Sequence, residues 1–145
     1  MANAAFRLDM RVTEKTQRAT VANLRQYGRG VSRDLERITV RSGERAQAMA
    51  EHFAPVDEGY MRSKIRLVIS AKRLAWQLGY NQADFSGQGL ADYYLFQELG
   101  FRHWITGQFI QNAHLRPAFE LERPRYLREV AQALRVNAAR LARAQ

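Results

Sequence analysis

Near the start of the chain apolar and charged residues alternate: Phe6, Leu8, Met10 and Val12 against Arg7, Asp9 and Arg11. A period of two puts one set on each side of an extended backbone and predicts a strand over about 5–12 with one charged face. Thr13 stands where an N-cap would, and the period then lengthens. Val21, Leu24, Val31, Leu35, Ile38, Ala46, Met49 and Phe53 recur at threes and fours or their sums, which predicts a helical region over about 14–53. Gly28 and Gly30 each weaken a helix by about 1 kcal/mol relative to alanine. The pattern therefore leaves open one helix kinked there or two in series, with Ser32 able to cap the second. An unbroken helix of about 40 residues would reach about 60 Å. That exceeds the width of a small domain, so part of it would lie on a neighbouring subunit or bend.

The stretch HFAPVDEGYMRSKI, residues 52–65, separates this helical region from a second run of alternating residues. Pro55 drives Ala54 out of the helical region, Asp57 can accept from nearby turn amides, and Gly59 can take a positive φ. Residues 54–60 are thus expected to form a turn that switches helix to strand. Ile65, Leu67 and Ile69 then alternate with Lys64, Arg66 and Val68, and Leu74, Trp76 and Leu78 alternate again after Ser70-Ala71-Lys72-Arg73. This reads as a β-hairpin over about 61–79. Residues 81–90 are polar and glycine-bearing, hence a loop. Periodicity does not decide between helix and strand for LADYYLFQELGF. From Pro117 helical spacing returns, predicting a C-terminal helix over about 117–143, with Pro124 either kinking it or starting its main part. The fold expected is α+β in a single domain, 1–145: a small antiparallel sheet packed by a long, kinked or straight, N-terminal helix and a C-terminal helix.

Composition bears on partners more than on fold. The chain has 145 residues, with 23 lysines and arginines against 14 acids and a net charge of +9, most of it arginine. Such a balance favours anionic partners: DNA, RNA, an acidic protein face or an anionic membrane surface. With no cysteine, disulfides, thiolate metal sites and cysteine nucleophiles are excluded. The N-terminal residues lack an apolar signal core, and no stretch approaches the roughly 20 apolar residues of a membrane span, so a soluble protein made in the cytoplasm is expected.

Arginines at 25, 29, 33, 37, 41 and 45 recur every four residues. On a helix each sits about 40° round from the last, so the row winds slowly across the surface. Arg29, Arg33, Arg37 and Arg41 are candidates for electrostatic contact with phosphates or an acidic subunit face. The plainer reading is a solvated face with local pairs, Glu36 to Arg33 and Arg37, and Glu44 to Arg41 and Arg45. His52, Asp57 and Glu58 have the chemistry for acid–base work, yet each has an ordinary role: His52 at a helix C-terminus, Asp57 in an Asx-turn, Glu58 in an exposed turn. His103 and His114 stand alone, no two histidines show metal spacing, and Ser86-Gly87-Gln88-Gly89 is no nucleophile elbow. No catalytic residue, cofactor or metal ligand is expected. Phe101-Arg102-His103-Trp104 interleaves aromatics with bases, suited to stacking nucleobases or, more commonly, to a core or subunit interface.

Three segments together resemble a family. Ala54-Pro55-Val56-Asp57-Glu58-Gly59-Tyr60-Met61-Arg62-Ser63-Lys64-Ile65 is similar to the A-P-x-D-T-G-x-L-x-x-S-I signature of the tail-completion, or neck, proteins of long-tailed bacteriophages. Tyr93 to Gly100 resembles the family's Y-x-x-x-x-E-x-G element, and Leu115-Arg116-Pro117-Ala118-Phe119 its R-P-A-[FL] at the start of the last helix. Glu58 replaces the usual Thr, Met61 the usual Leu, and Phe101 stands where Thr is usual. The resemblance implies a non-enzymatic structural protein of the virion, assembled in the host cytoplasm. It would form a ring, six-fold, between head-closure and tail-terminator rings, with DNA in the lumen as a further partner and no membrane. On this reading Pro55, Asp57, Gly59 and Pro117 are conformational residues, and Tyr93, Tyr94, Glu98, Phe101 and Trp104 are interface candidates.

Overall fold

The alternation at the start of the chain becomes strand β1, Arg7–Met10, which pairs antiparallel with a strand some seventy residues later. A computed structural model describes residues 7–10, 28–56, 59–81, 83–86 and 93–143; expectations for 14–27, Asp57, Glu58 and 87–90 lie outside these residues, as do the side chains of Arg29 and Tyr93. The architecture is α+β: a three-stranded antiparallel sheet, a two-stranded one, a long helix before the sheet and another at the C-terminal end packed against it.

Helix α1 spans Arg29–Phe53 and begins directly after Gly28, whose φ of 81° no helix would hold. This settles the position of Gly28 and Gly30: the first lies outside α1, the second in its first turn. Ser32 does not cap it. Its hydroxyl instead donates to Glu36 one turn on, because the helix has already started three residues earlier. Val31, Leu35, Thr39, Ser42, Ala46 and Ala50 are buried, a stripe at threes and fours facing the core. Phe53, expected in that stripe, is largely exposed at the helix end. The middle of the stripe is small for a reason. A Cβ on Gly43 would lie 3.1 Å from Leu67 Cδ1 and 3.3 Å from Trp76 Cβ, so glycine lets the helix lie directly on the sheet. There Trp76 Nε1 donates to Ser42 Oγ at 3.0 Å, satisfying both polar groups in the interior.

Pro55 acts as expected: Ala54 is extended, with ψ 140°, and its amide closes the last turn onto Ala50 O at 2.9 Å. Gly59 is left-handed, with φ 69°. The strand does not come next, however. Residues 60–64 form a short helix, α2 (Tyr60–Lys64), and the hairpin expected from 61 begins only at β2, Arg66–Ser70. Met61 and Ile65, four apart, are both buried, and that helical spacing overrides the alternation beginning at Ile65.

A 3₁₀ turn at Ala71–Arg73 and Leu74, left-handed at φ 51°, lead into β3, Ala75–Gly79. The sheet order is β1-β3-β2, with Leu67 opposite Leu78 and Ile69 opposite Trp76. These four share the face that meets α1, while Arg66, Val68 and Gln77 share the other.

The polar loop opens with one helical turn, α3 (Ala83–Ser86), where only loop was expected, because Phe85 is buried against Tyr60, Tyr80 and Tyr94. The undecided segment is helical, α4 (Tyr93–Leu99). Helix α5, Leu115–Arg143, starts two residues before Pro117 and runs through Pro124. Pro117 sits in the first turn, where an amide would have no helical acceptor, and Pro124 is on the exposed face, where water can reach the carbonyl it leaves unpaired.

Helices α1 and α5 pack antiparallel, as three polar pairs at successive levels record. Asn137 Nδ2 donates to Asp34 Oδ2 at 3.2 Å; Thr39 bonds the Tyr126 hydroxyl at 3.1 Å; Arg45 binds Glu122 through two nitrogens, at 2.5 to 3.2 Å, and Glu129 at 3.0 Å. The Asn137 bond, with Arg37 beside it, holds the Asp34 carboxyl below its ordinary range despite partial desolvation. Glu122 is 1% exposed, so Arg45 is what makes its charge tolerable. Among the described residues no helix is long and apolar enough to cross a membrane.

Two measurements check these assignments. Arg45→Ala, by stranding the Glu122 carboxylate, should lower unfolding free energy by about 3–5 kcal/mol, whereas the paired change Arg45→Met with Glu122→Leu should recover most of it; equal losses in denaturant titrations would contradict a buried pair. Among the described residues nothing lies within 4 Å of a Cβ on Gly59, so Gly59→Val should cost about 1–2 kcal/mol of backbone strain, and Gly59→Asn less.

Candidate functional site

Two of the three segments that resemble the phage family, Tyr93 to Gly100 and Leu115 to Phe119, are joined by Glu98. Its carboxylate, 1% exposed, accepts from the amides of His114 at 2.9 Å and Leu115 at 2.7 Å through Oε1, and of Arg116 at 3.3 Å through Oε2. These are the orphan donors at the start of α5, and a carboxylate there also meets the positive end of the helix dipole. The motif glutamate therefore caps the helix that the R-P-A-F segment begins. Ala118 is fully buried at that start.

A second layer surrounds this cap. His114 is fully buried; its Nδ1 faces Asn112 O at 3.0 Å and Glu98 Oε1 at 3.2 Å. With two acceptors beside it, Nδ1 carries the proton, and Nε2 meets the Tyr80 hydroxyl in a short hydrogen bond. Burial pushes the Tyr80 phenol far up, with the Glu98 charge adding to it, so Tyr80 stays protonated and donates to Nε2. Asn112 also donates to Gln97 Oε1 at 2.9 Å, and Gln111 to the Glu98 carbonyl at 2.8 Å. Tyr, His and Glu in a line look like an acid–base relay. All three are buried and the glutamate oxygens are occupied by helix amides, so the arrangement holds α4, the 111–114 connection and α5 together.

This corrects two site assignments. Tyr94 and Glu98, expected at an interface, are inside the subunit: Tyr94 packs on Tyr80 and Phe85, and Glu98 is the cap. Sequence spacing could not reveal the cap, because the amides Glu98 serves lie 16 to 18 residues away.

Of the other interface candidates, Trp104 is exposed and Phe101 half-buried, while the Tyr93 side chain lies outside the described residues. Phe101 opens a hairpin not anticipated from sequence, β4 (Phe101–Arg102) with β5 (Phe109–Ile110). His103 N donates to Gln108 O and Gly107 N to His103 O, each at 2.8 Å. Gly107, at φ 67°, and Gly100, at φ 83°, supply the positive φ angles; the Phe109 ring lies against Gly100 where a side chain would stand. Phe101 packs on Phe96, ring centroids 6.4 Å apart. At the tip Trp104 is 88% and Ile105 68% exposed. Phe96, Leu99 and Phe109 are each about half exposed, so α4 and the hairpin carry several exposed apolar side chains, with Phe109 on the opposite face of the hairpin from Phe101.

The arginine row divides as its winding requires. Arg33, Arg37 and Arg41 are exposed, with Arg37 paired to Asp34. By Arg45 the row has turned into the seam with α5, and the hydrogen bond with Glu122 raises the Arg45 pKa. The local pairs anticipated for Glu36 and Glu44 give way to these. His52 is exposed at the end of α1, and Asp57 and Glu58 lie outside the described residues. Among the described residues no cluster of three histidines or acids is able to hold a metal ion. Comparison with family models, curated proteins and solved structures found no match.

Glu98→Ala should leave three buried amides at the start of α5 without an acceptor and lower stability by about 2 kcal/mol or more, with Glu98→Gln intermediate. The check is a denaturant titration with hydrogen exchange at 114–116; protection unchanged in both variants would contradict the cap.

Proposed function

We propose that the chain is a structural virion protein of a phage neck, forming a ring that joins or completes the tail at the head-to-tail interface. The ring is six-fold on the family resemblance, its axial neighbours are head-closure and tail-terminator proteins, and the work is assembly without catalysis. The observation that carries an assembly role is the set of exposed apolar side chains on α4 and the β4–β5 hairpin, with Trp104 almost wholly exposed at the hairpin tip. An aromatic so placed is the usual anchor of a protein interface. The resemblance says which assembly. It is supported by the joint structural work of its residues: Gly59 makes the turn after α1, Glu98 caps α5, Gly100 seats Phe109, and Pro117 and Ala118 begin the capped helix.

A second reading, a free basic nucleic-acid-binding protein, is favoured by one observation. Arg33 and Arg41 on α1 and Arg123, Arg128 and Arg135 on α5 are all exposed, a surface suited to phosphates.

Electron microscopy and mass measurement of the purified chain, alone and mixed with head-closure and tail-terminator proteins, test the first reading. Rings or ring fragments are expected, and Trp104→Ala should weaken association roughly tenfold or more. A chain that stays monomeric in every mixture overturns it. DNA affinity near micromolar in physiological salt, with a steep salt slope and no ring, would favour the second reading.

A further inference from the structure

A closed ring needs two different patches on each copy, one meeting the other on the next subunit. The hairpin tip is one patch. We infer that its counterpart is the outer face of the three-stranded sheet, and that Trp104 and Ile105 of one copy seat in the groove beside β2 of the next; this rests on the ring reading above.

The groove, about half open to solvent, has a volume of about 420 Å³, and Arg66, Val68, Gln77, Gly79, Tyr80 and Asn81 are among the residues that border it. That volume falls within the roughly 300–1,000 Å³ of clefts that enclose a small ligand, the scale of an indole with one aliphatic neighbour. Val68 is 60% exposed on the face away from α1, an apolar side chain left open among the described residues. It stands at the sheet edge, since the order is β1-β3-β2. Gly79 adds no side chain that would fill the groove. None of the residues bordering it belongs to the hairpin, so the two surfaces are distinct, as a heterologous contact requires.

The chemistry of the rim fits an indole. Arg66 is held edge-on by Asp84 through Nε and Nη2, at 2.9 to 3.2 Å, while its side chain stays 57% exposed. The Asp84 contact fixes the plane of an exposed guanidinium, and an arginine face stacks favourably on tryptophan, the best of the aromatic partners for a cation. Asp84 also offsets the Arg66 charge, which lessens its repulsion of a tip that carries Arg102 and His103. Both surfaces are preformed in the same chain without rearrangement.

The chain lacks cysteine, which makes cross-linking a clean test. Under mild oxidation the double variant Val68→Cys with Ile105→Cys should give a ladder of dimers, trimers and higher species. Each single variant should give no product above the dimer, and thermal unfolding of all three should match wild type. Trp104→Ala and Arg66→Ala should each weaken self-association of the otherwise unchanged chain, the first by at least tenfold. If wild type forms oligomers but the double variant cross-links no further than the single ones, the inference fails and the ring reading stands. Efficient dimers from Ile105→Cys alone would mean that tips meet tips, which also overturns it. Wild type that remains monomeric, alone and with its proposed neighbours, removes both.

Discussion

The start of α5 is buried, and a buried helix start leaves amide hydrogens that must find acceptors. Much of the C-terminal half is arranged around how this is met. No side chain of α5 or of the residues just before it does so; the acceptor is Glu98, delivered from another helix. To bring it there α4 must lie across the end of α5, which places Tyr94 beside Tyr80 and Phe85 and aligns His114 between Tyr80 and Glu98. The ten residues from 101 to 110 must then leave and return between two fixed points, and a hairpin is the shortest structure that does so. One carboxylate thus ties the core to the most exposed surface of the molecule.

The other organising contact is the seam between α1 and α5. Its centre is polar, with Glu122 and Glu129 both accepting from Arg45, and the Thr39 and Tyr126 hydroxyls donating to the Leu35 and Leu74 carbonyls. Directional bonds of this kind fix the register of two long helices more tightly than apolar side chains alone, since sliding by one turn would strand a charge. The left-handed Leu74 belongs to the same arrangement, because its carbonyl must point at the Tyr126 hydroxyl.

Periodicity made much of this fold legible and missed the rest for identifiable reasons. Alternation located β1, β2 and β3, and three-to-four spacing located α1 and α5, since in each the burial of one face repeats over many residues. The short helix at 60–64 was lost because Met61 and Ile65 provide only a single helical interval. The β4–β5 hairpin has two-residue strands, below the length at which alternation can be read. Pro55 and Gly59 were legible as conformational residues because their constraints are local to the backbone. Glu98 and Tyr94 were misplaced because polarity and aromaticity do not reveal burial when the partners are distant in sequence. The fate of Arg45 was implicit in the four-residue spacing, whose winding carries the row into the seam.

Gly100 has a bearing on the energetics of association. With the Phe109 ring filling the space a side chain would take, the hairpin is fastened to the end of α4 and moves with it. A surface attached in this way is already ordered before any partner arrives. Each exposed side chain still loses about 0.5–1.5 kcal/mol of rotamer freedom at an interface, and a loose arm bearing the same Trp, Ile and Phe would lose the freedom of its backbone as well. The rigidity of a single glycine contact thus decides how much of the hairpin's apolar area is left to appear as affinity.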